Sequence, residues 1–393
     1  MTTAVEVPTS DIDLFTDDVL TDPYPTYAVL RDLGPVVWLP ANEVYAVTRH
    51  EDVRRILSDW ETYSSLRGIA FNDEINEALV GTILGSDPPH HTRLRNVLAE
   101  RLAPRALRSL SASFRERADR HVQAIVASGT FDVVTDLAQA FIIDAVAGLV
   151  GLPEEGRERL VDFGTAAFNA PGPMNARAAA ASVTSAELFG DYVVNIASRE
   201  RLTPGSMGMA IYEAADRGEI DEASCIPLMA GYVGAGIDTT VTAVTNAVVA
   251  LAENKDQWEL LRSDPDLASR AFNESIRYDA PVQVFGRRVT TEHVLDGVPL
   301  VPGNRIAVVF GSGNRDERRY HKPDRFDIRR DAMDHVAFGY GTHACAGQGL
   351  ARMEGEALLR ALARHAKNIE LLESERELIN LGRGYKHVTV SVS

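Results

Sequence analysis

Cysteine is almost absent from this chain. Two thiols, Cys225 and Cys345, stand among 393 residues, which excludes a disulfide framework and a four-thiolate zinc site. Basic residues are also short. Forty Lys and Arg face 56 Asp and Glu, a formal net charge of −16, and phosphate contacts need clustered cations, so nucleic-acid binding is excluded as the main task. No Ser/Gly/Pro-rich linker, low-complexity tract or internal repeat divides the chain, and one domain over residues 1–393 is expected. Met1 to Phe15 is polar and acidic, without a cationic start followed by an apolar run. No leader or membrane anchor is therefore expected there. With so few thiols, the expectation is a monomer in a reducing cytoplasm, away from membranes.

What is present is an ordinary globular composition, 45% apolar and 24% charged. One stretch, Cys225 to Ala252, is long and apolar enough to cross a bilayer. It contains Asp238, four threonines and Gly234-Ala235-Gly236, which suits a long helix through the centre of a soluble protein better. Pro23 to Leu33 and Glu51 to Leu57 read as helices. Val36 to Leu39 and Val44 to Thr48 read as strands. From His91 to about Asp256 the pattern is mostly helical, broken at Gly129, Pro153, Pro171-Gly172-Pro173 and Pro204-Gly205. Pro265 to Tyr278 is helical again. Short strands follow over Gln283 to Thr290, Val294 to Leu295 and Arg305 to Val309. A helix over Leu350 to Ala366 and a strand over Val388 to Val392 close the chain. The fold class is mainly α with a small β region.

The most informative run is Phe338-Gly339-Tyr340-Gly341-Thr342-His343-Ala344-Cys345-Ala346-Gly347-Gln348-Gly349-Leu350-Ala351-Arg352. It sets one cysteine behind a glycine-rich loop and just before a helix. A lone thiolate there suits axial ligation of a haem iron. Glycines let the backbone lie close under a flat macrocycle and turn N–H groups toward sulfur, and the helix presents its positive end to an anion. The alternative is a structural cysteine in a turn. Elsewhere, Cys225 reads as an ordinary buried thiol, and His50, His121, His293, His321, His365 and His387 as surface or packing residues.

Phe338-x-x-Gly341-x-His343-x-Cys345-x-Gly347 resembles the signature of the cytochrome P-450 haem-thiolate monooxygenases at every fixed position, and the resemblance runs from about Asp22 to the C-terminus. It implies a helix-rich triangular prism, a haem b, O2 as co-substrate and Cys345 as the axial ligand, with Phe338 and Gly347 beside the cofactor. His91 and Arg95, four apart in Asp87-Pro88-Pro89-His90-His91-Thr92-Arg93-Leu94-Arg95, match propionate-binding positions, as do Arg287 and His343. Glu274-Ser275-Ile276-Arg277 matches the family's Glu-x-x-Arg, with Arg325 as the third member of a structural network. Ala235-Gly236-Ile237-Asp238-Thr239-Thr240 falls where the family's long helix opens. There Thr239 and Asp238 would support proton delivery during oxygen activation. The other reading is a threonine bonded back to its own helix. The chain has no Gly-x-Gly-x-x-Gly motif, flavin region or iron–sulfur region, so electrons from NAD(P)H are expected through a ferredoxin and its reductase. Arg352 is a candidate docking cation.

Ser64-Ser65-Leu66-Arg67-Gly68-Ile69, Phe168 to Asn175 and Pro281-Val282-Gln283-Val284-Phe285 resemble the bacterial subgroup that oxidises para-substituted benzoates, typically by O-demethylation. That resemblance implies a slot lined by Ile69, Phe168, Ala235, Val282 and Phe285, with Arg67 holding a carboxylate. Ala230 and Gly231 depart from the subgroup, which tends to have Arg and Ser there, and Pro171 stands for a phenylalanine. Hydroxylation of a larger terpenoid or macrolide is the alternative substrate reading. A haem carrier or sensor that leaves oxygen unactivated and a peroxide-driven peroxygenase are alternative activities.

Overall fold

A helix of 29 residues, Cys225–Glu253, runs through the centre of the computed structural model, which describes residues 7–393. It is apolar around most of its circumference, and such a helix is stable only inside a core. It packs against the helices Ala140–Val150, Arg159–Asn169, Ala268–Tyr278 and Gln348–His365. Its membrane-like composition is thus that of a core element, 78% of the apolar window being buried inside the protein. Pro227 is tolerated because it lies in the first turn, where the N–H has no helical partner to lose. The helix Arg159–Asn169 crosses close above it. A Cβ on Gly164 would stand 2.9 Å from the Asp238 Cβ and 3.2 Å from the Gly234 carbonyl oxygen, so this approach requires glycine.

Among the described residues, ten short strands accompany the helices. In chain order they are β1 (Val36–Leu39), β2 (Val44–Val47), β3 (Tyr63–Ser64), β4 (Thr130–Asp132), β5 (Val284–Val289), β6 (His293–Leu295), β7 (Val298–Leu300), β8 (Arg305–Val309), β9 (Ile369–Glu377) and β10 (Gly384–Val392). They form three sheets in the orders β1-β2-β8-β5-β3, β4-β10-β9 and β6-β7. Among the described strands, only β2 and β8 pair in parallel. Alternation in the sequence anticipates β1, β2, β5 and β8 closely. It misses β9, whose four glutamates hide the pattern. This strand lies at a sheet edge, where charge on the open side is favourable.

The Glu-x-x-Arg network is present with one change of member. Glu274 and Arg277 have no exposed side-chain surface and pair in bidentate fashion at 2.7 and 2.9 Å. The third member is Arg330, whose Nε donates to Glu274 at 3.1 Å. Arg325 is exposed and enters only through its carbonyl, which accepts from Arg330. The physical reason is a turn after Lys322, closed by Arg325 N–H to the Lys322 carbonyl, which brings residue 330 back to the glutamate. Arg277 also donates to the Asn314 carbonyl at 2.9 Å. The Asn314 side chain accepts from Val336 N–H at 2.7 Å, at the foot of the cysteine loop. The network therefore holds that loop to the core.

Candidate active site

Between Phe338 and the helix Gln348–His365 the chain makes a tight loop. Gly339 and Gly341 adopt φ +67° and +68°, and a Cβ on Gly341 would stand 2.4 Å from the Leu57 carbonyl oxygen. Glycine alone meets both demands at residue 341. Cys345 N–H donates to the Phe338 carbonyl at 2.8 Å and closes the loop. Burial pushes the Cys345 thiol up, opposed by the N–H groups of Gly347 and Gln348 and by Arg95 and Arg352. These N–H groups and cations favour a thiolate, as a metal ligand requires. A cavity of about 700 Å3 opens beside Cys345, lined among others by Arg95, Leu98, Leu107, Gln348 and Arg352.

Basic groups gather near the loop without enough acid to neutralise them. The rings of His91 and His343 are 4.1 Å apart. His91 Nδ1 and His343 Nε2 are both buried without a partner. Arg287 is 5% exposed, and its guanidinium donates to the Gly286 carbonyl at 2.7 Å. Burial pulls its pKa down to about 10, with Asp87 working against the shift. Burial depresses Arg95 as well and holds His91 down to about 4. Asp87 is the local acid. Burial pushes it up, but hydrogen bonds from the Ser64 hydroxyl and Ser65 N–H, with the His343 ring nearby, outweigh that and leave it below its usual range. Its oxygen lies 3.9 Å from His343 Nε2. Buried donors without acceptors are costly, and two added carboxylates would satisfy them. A haem, with a thiolate site and two propionates to place, fits this donor set. Sequence reasoning missed Asp87, whose signal was its place at the head of the His91–Arg95 run.

On the central helix, Asp238 accepts a hydrogen bond from the Thr165 hydroxyl at 3.0 Å. Burial raises its carboxyl to about 7, the Thr165 bond opposing and Glu377 adding to the rise. The expected opening of this helix is not found. The helix is continuous over Cys225–Glu253, and the Thr239 hydroxyl donates to the Ala235 carbonyl one turn back at 2.6 Å. That bond gives the hydroxyl a partner within its own helix, without a break in the backbone.

The slot residues come together from distant segments. Phe168 and Phe285 lie 6.4 Å apart, tilted by 35°, and Ala235 and Val282 pack in the same apolar cluster with Phe71, Ile379 and Leu381. Ile69 is buried, its carbonyl accepting from Gly286 N–H next to Phe285. Arg67 does not join them. It adopts φ +55° and turns its half-exposed guanidinium outward to Glu77 at 2.6 Å, which corrects the expected carboxylate grip. Arg352 is likewise committed, to Asn273 and Gln348 at 2.9 and 2.8 Å and to the face of Phe338 at 4.6 Å. It is not a free docking cation. Arg108, at the same cavity, is exposed.

Asparagines fasten the roof. Asn72 Nδ2 donates to the carbonyls of Ala170 and Gly172 at 2.9 and 2.7 Å. Asn380 exchanges two bonds of 2.9 Å with Asn169. Phe71 N–H donates to the Pro171 carbonyl at 2.8 Å. Sequence reasoning missed this set, since polar residues in loops carry no periodic signal.

Residues 209–367 match the family model for cytochrome P450. The chain is 38% identical to cytochrome p450 CYP199A2 of Rhodopseudomonas palustris, over 98% of this chain and 95% of that protein. It is 33% identical to the cytochrome P450 monooxygenase PikC of Streptomyces venezuelae, over 96% and 92%. Among solved structures it superposes on CalO2 with a TM-score of 0.85 at 30% identity, covering 97% of this chain and 98% of that one.

Proposed function

This chain belongs to the cytochrome P450 family, and from that premise we propose that it oxidises a small, flat, para-substituted aromatic acid by O-demethylation or hydroxylation. It is a monooxygenase, not a haem carrier or sensor. The observation that supports the substrate reading is the apolar cluster in which Phe168 and Phe285 lie 6.4 Å apart beside Val282 and Ala235. Rigid aromatic walls hold a flat ring at little entropic cost. A terpenoid or macrolide lacks the flat ring that those walls suit.

Bound through Cys345, haem b supplies the chemistry that activates O2 and transfers one oxygen atom to substrate. Arg287, Arg95, His91 and His343 would hold its propionates, and Phe338 and Gly347 would flank it. The chain's own residues do the rest. The slot excludes water and orients the ring with its para substituent toward Ala235. Thr239, whose proton is committed to Ala235, keeps its oxygen lone pairs as hydrogen-bond acceptors in the site. Asp238, with a carboxyl near 7, can hold or release a proton at working pH, the property a proton relay needs. Electrons would arrive from NAD(P)H through a ferredoxin and its reductase docked on the face around Cys345.

One observation favours a second reading. Arg67 faces solvent and Glu77 rather than the slot, which suits a neutral para-substituted aromatic as well as an acid. Spectral titration of the holoenzyme with 4-methoxybenzoate, its amide and 4-methoxyphenol separates the two. Tightest binding by the acid, with formaldehyde released on turnover, supports the first. Tighter binding by the neutral compounds supports the second.

A further inference from the structure

We propose that the protein carries a second ligand site, away from the cysteine loop, for a small aromatic acid that bears a hydroxyl group. A cavity of about 560 Å3 opens where the helix Tyr24–Leu33, the last turns of the central helix and the β9–β10 hairpin meet. Its lining shares no residue with the cavity beside Cys345 or with the aromatic slot. The size is that of a small-molecule site.

Guanidiniums and carboxylates share its lining, four of each, and differ in depth. The Asp279 carboxylate is already satisfied by Tyr24 Oη at 2.7 Å, Arg383 Nε at 2.8 Å and Arg376 Nη2 at 2.9 Å. Arg315 adds a third guanidinium, 3.6 Å from the centre of the Tyr24 ring and 3.9 Å from that of Tyr278. Three guanidiniums thus stand near one buried carboxylate, Arg315 pairing also with Asp324 at 3.1 Å. The other lining acids, Asp22, Glu253 and Asp324, are exposed at the mouth, where water screens them.

Two buried polar atoms in the lining have no partner, and they are of opposite kinds. Arg376 Nη1 is a donor without an acceptor. Asn246 is 2% exposed, its Nδ2 is spent on the carbonyls of Asp279 and Arg383 at 3.1 Å each, and its Oδ1 accepts nothing. Orphaned buried groups of this sort call for an explanation. A carboxylate on Arg376 and a hydroxyl donating to Asn246 would satisfy both. Between them the wall is flat or apolar. The Arg376 guanidinium lies 3.7 Å over the Tyr385 ring, and Ala28, Val249 and Ala250 complete the surface. An aromatic body suits such plates.

The identity of a natural ligand rests on the substrate reading above. O-demethylation of a methoxybenzoate turns a group that can only accept hydrogen bonds into a hydroxyl that can donate. The product therefore has both groups the cavity asks for, and the substrate lacks one.

The test uses holoenzyme with imidazole occupying the haem site, titrated calorimetrically with 4-hydroxybenzoate. One binding event is expected, with 4-methoxybenzoate at least about tenfold weaker. Arg376→Gln should weaken 4-hydroxybenzoate by at least about tenfold. Ala28→Phe, which fills the cavity and leaves the arginines alone, should do the same. Both variants should keep the wild-type spectral response to 4-methoxybenzoate without imidazole, which shows an intact fold and haem site. Absence of binding in the blocked wild type, equal affinity for the methoxy compound, or unchanged binding in both variants overturns the proposal. If unblocked wild type gives no spectral response to 4-methoxybenzoate, the substrate reading fails, and the blocked titration still decides the second site.

Discussion

The cysteine loop and the aromatic slot are built on opposite plans. The loop is one unbroken run from Phe338 to Arg352, stiffened by positive-φ glycines and tied to the core through Asn314 and the Glu274–Arg277 pair. The residues proposed for the slot, Ile69, Phe168, Ala235, Val282 and Phe285, come from segments that no local pattern connects. Charge and hydrogen bonds define the first, and apolar shape defines the second. The difference teaches where each property can vary. Altering the loop should remove the chemistry as a whole, whereas altering the slot should exchange one substrate for another.

The contrast breaks most completely at Cys345. Cys345→Ala should abolish the absorption band that reduced protein with carbon monoxide shows when haem is thiolate-ligated, and with it all turnover. An unchanged band would place the ligand elsewhere. Next in size is Arg277→Met, which leaves the Glu274 carboxylate buried beside Arg330 alone. Removing one partner of such a pair costs roughly 3–5 kcal/mol. Denaturant unfolding should show this loss, together with reduced haem content.

Asp238 sharpens the comparison from the other side. Its carboxyl is raised from the ordinary range to about 7 by burial. Folding therefore takes up a proton between about pH 4 and 7, and stability declines over that window as pH rises. Asp238→Asn removes the penalty, so its melting temperature should exceed that of wild type more at pH 8 than at pH 5. The same variant should slow turnover and lose an inflection in rate near pH 7. Thr239→Ala should still consume NAD(P)H but divert oxygen to peroxide. Wild-type coupling in both variants removes the case for this pair. The smallest effect is expected at Arg67. Because its guanidinium faces Glu77 and solvent, Arg67→Ala should change benzoate affinity by less than about threefold. A loss of about tenfold or more, confined to acids, would return Arg67 to the slot.

These two plans also explain what could be read from the chain. Cys345, His343, His91 and Arg95 were legible because their spacing is local and their chemistry is rare. The central helix was legible from its length and its apolar surface. Arg325 was read as a network member because the turn at Lys322, which substitutes Arg330, leaves no mark in composition. Thr239 was open to two readings, and its bond to Ala235 is decided by a single side-chain rotation that no pattern encodes. Arg67 was read from resemblance alone, and its left-handed backbone and its pairing with Glu77 leave no mark in composition. Asn72, Asn169 and Asn380 were invisible because their partners are backbone carbonyls and amides on remote loops.

Those asparagines have a consequence for residence time. Amides and carbonyls carry most of the bonds in this roof, joined by two guanidinium groups, Arg177 Nε donating to Asn380 Oδ1 at 3.2 Å and Arg305 Nη1 to the Phe71 carbonyl at 3.1 Å. Salt should speed the encounter of an anionic substrate with a protein of net charge −16, because screening relieves repulsion. Departure through this roof would require these contacts to part, and most of them are uncharged and feel neither salt nor proton concentration. The rate of release should therefore stay level across ionic strength and across neutral pH, so that arrival is tuned by the medium and escape by the fold.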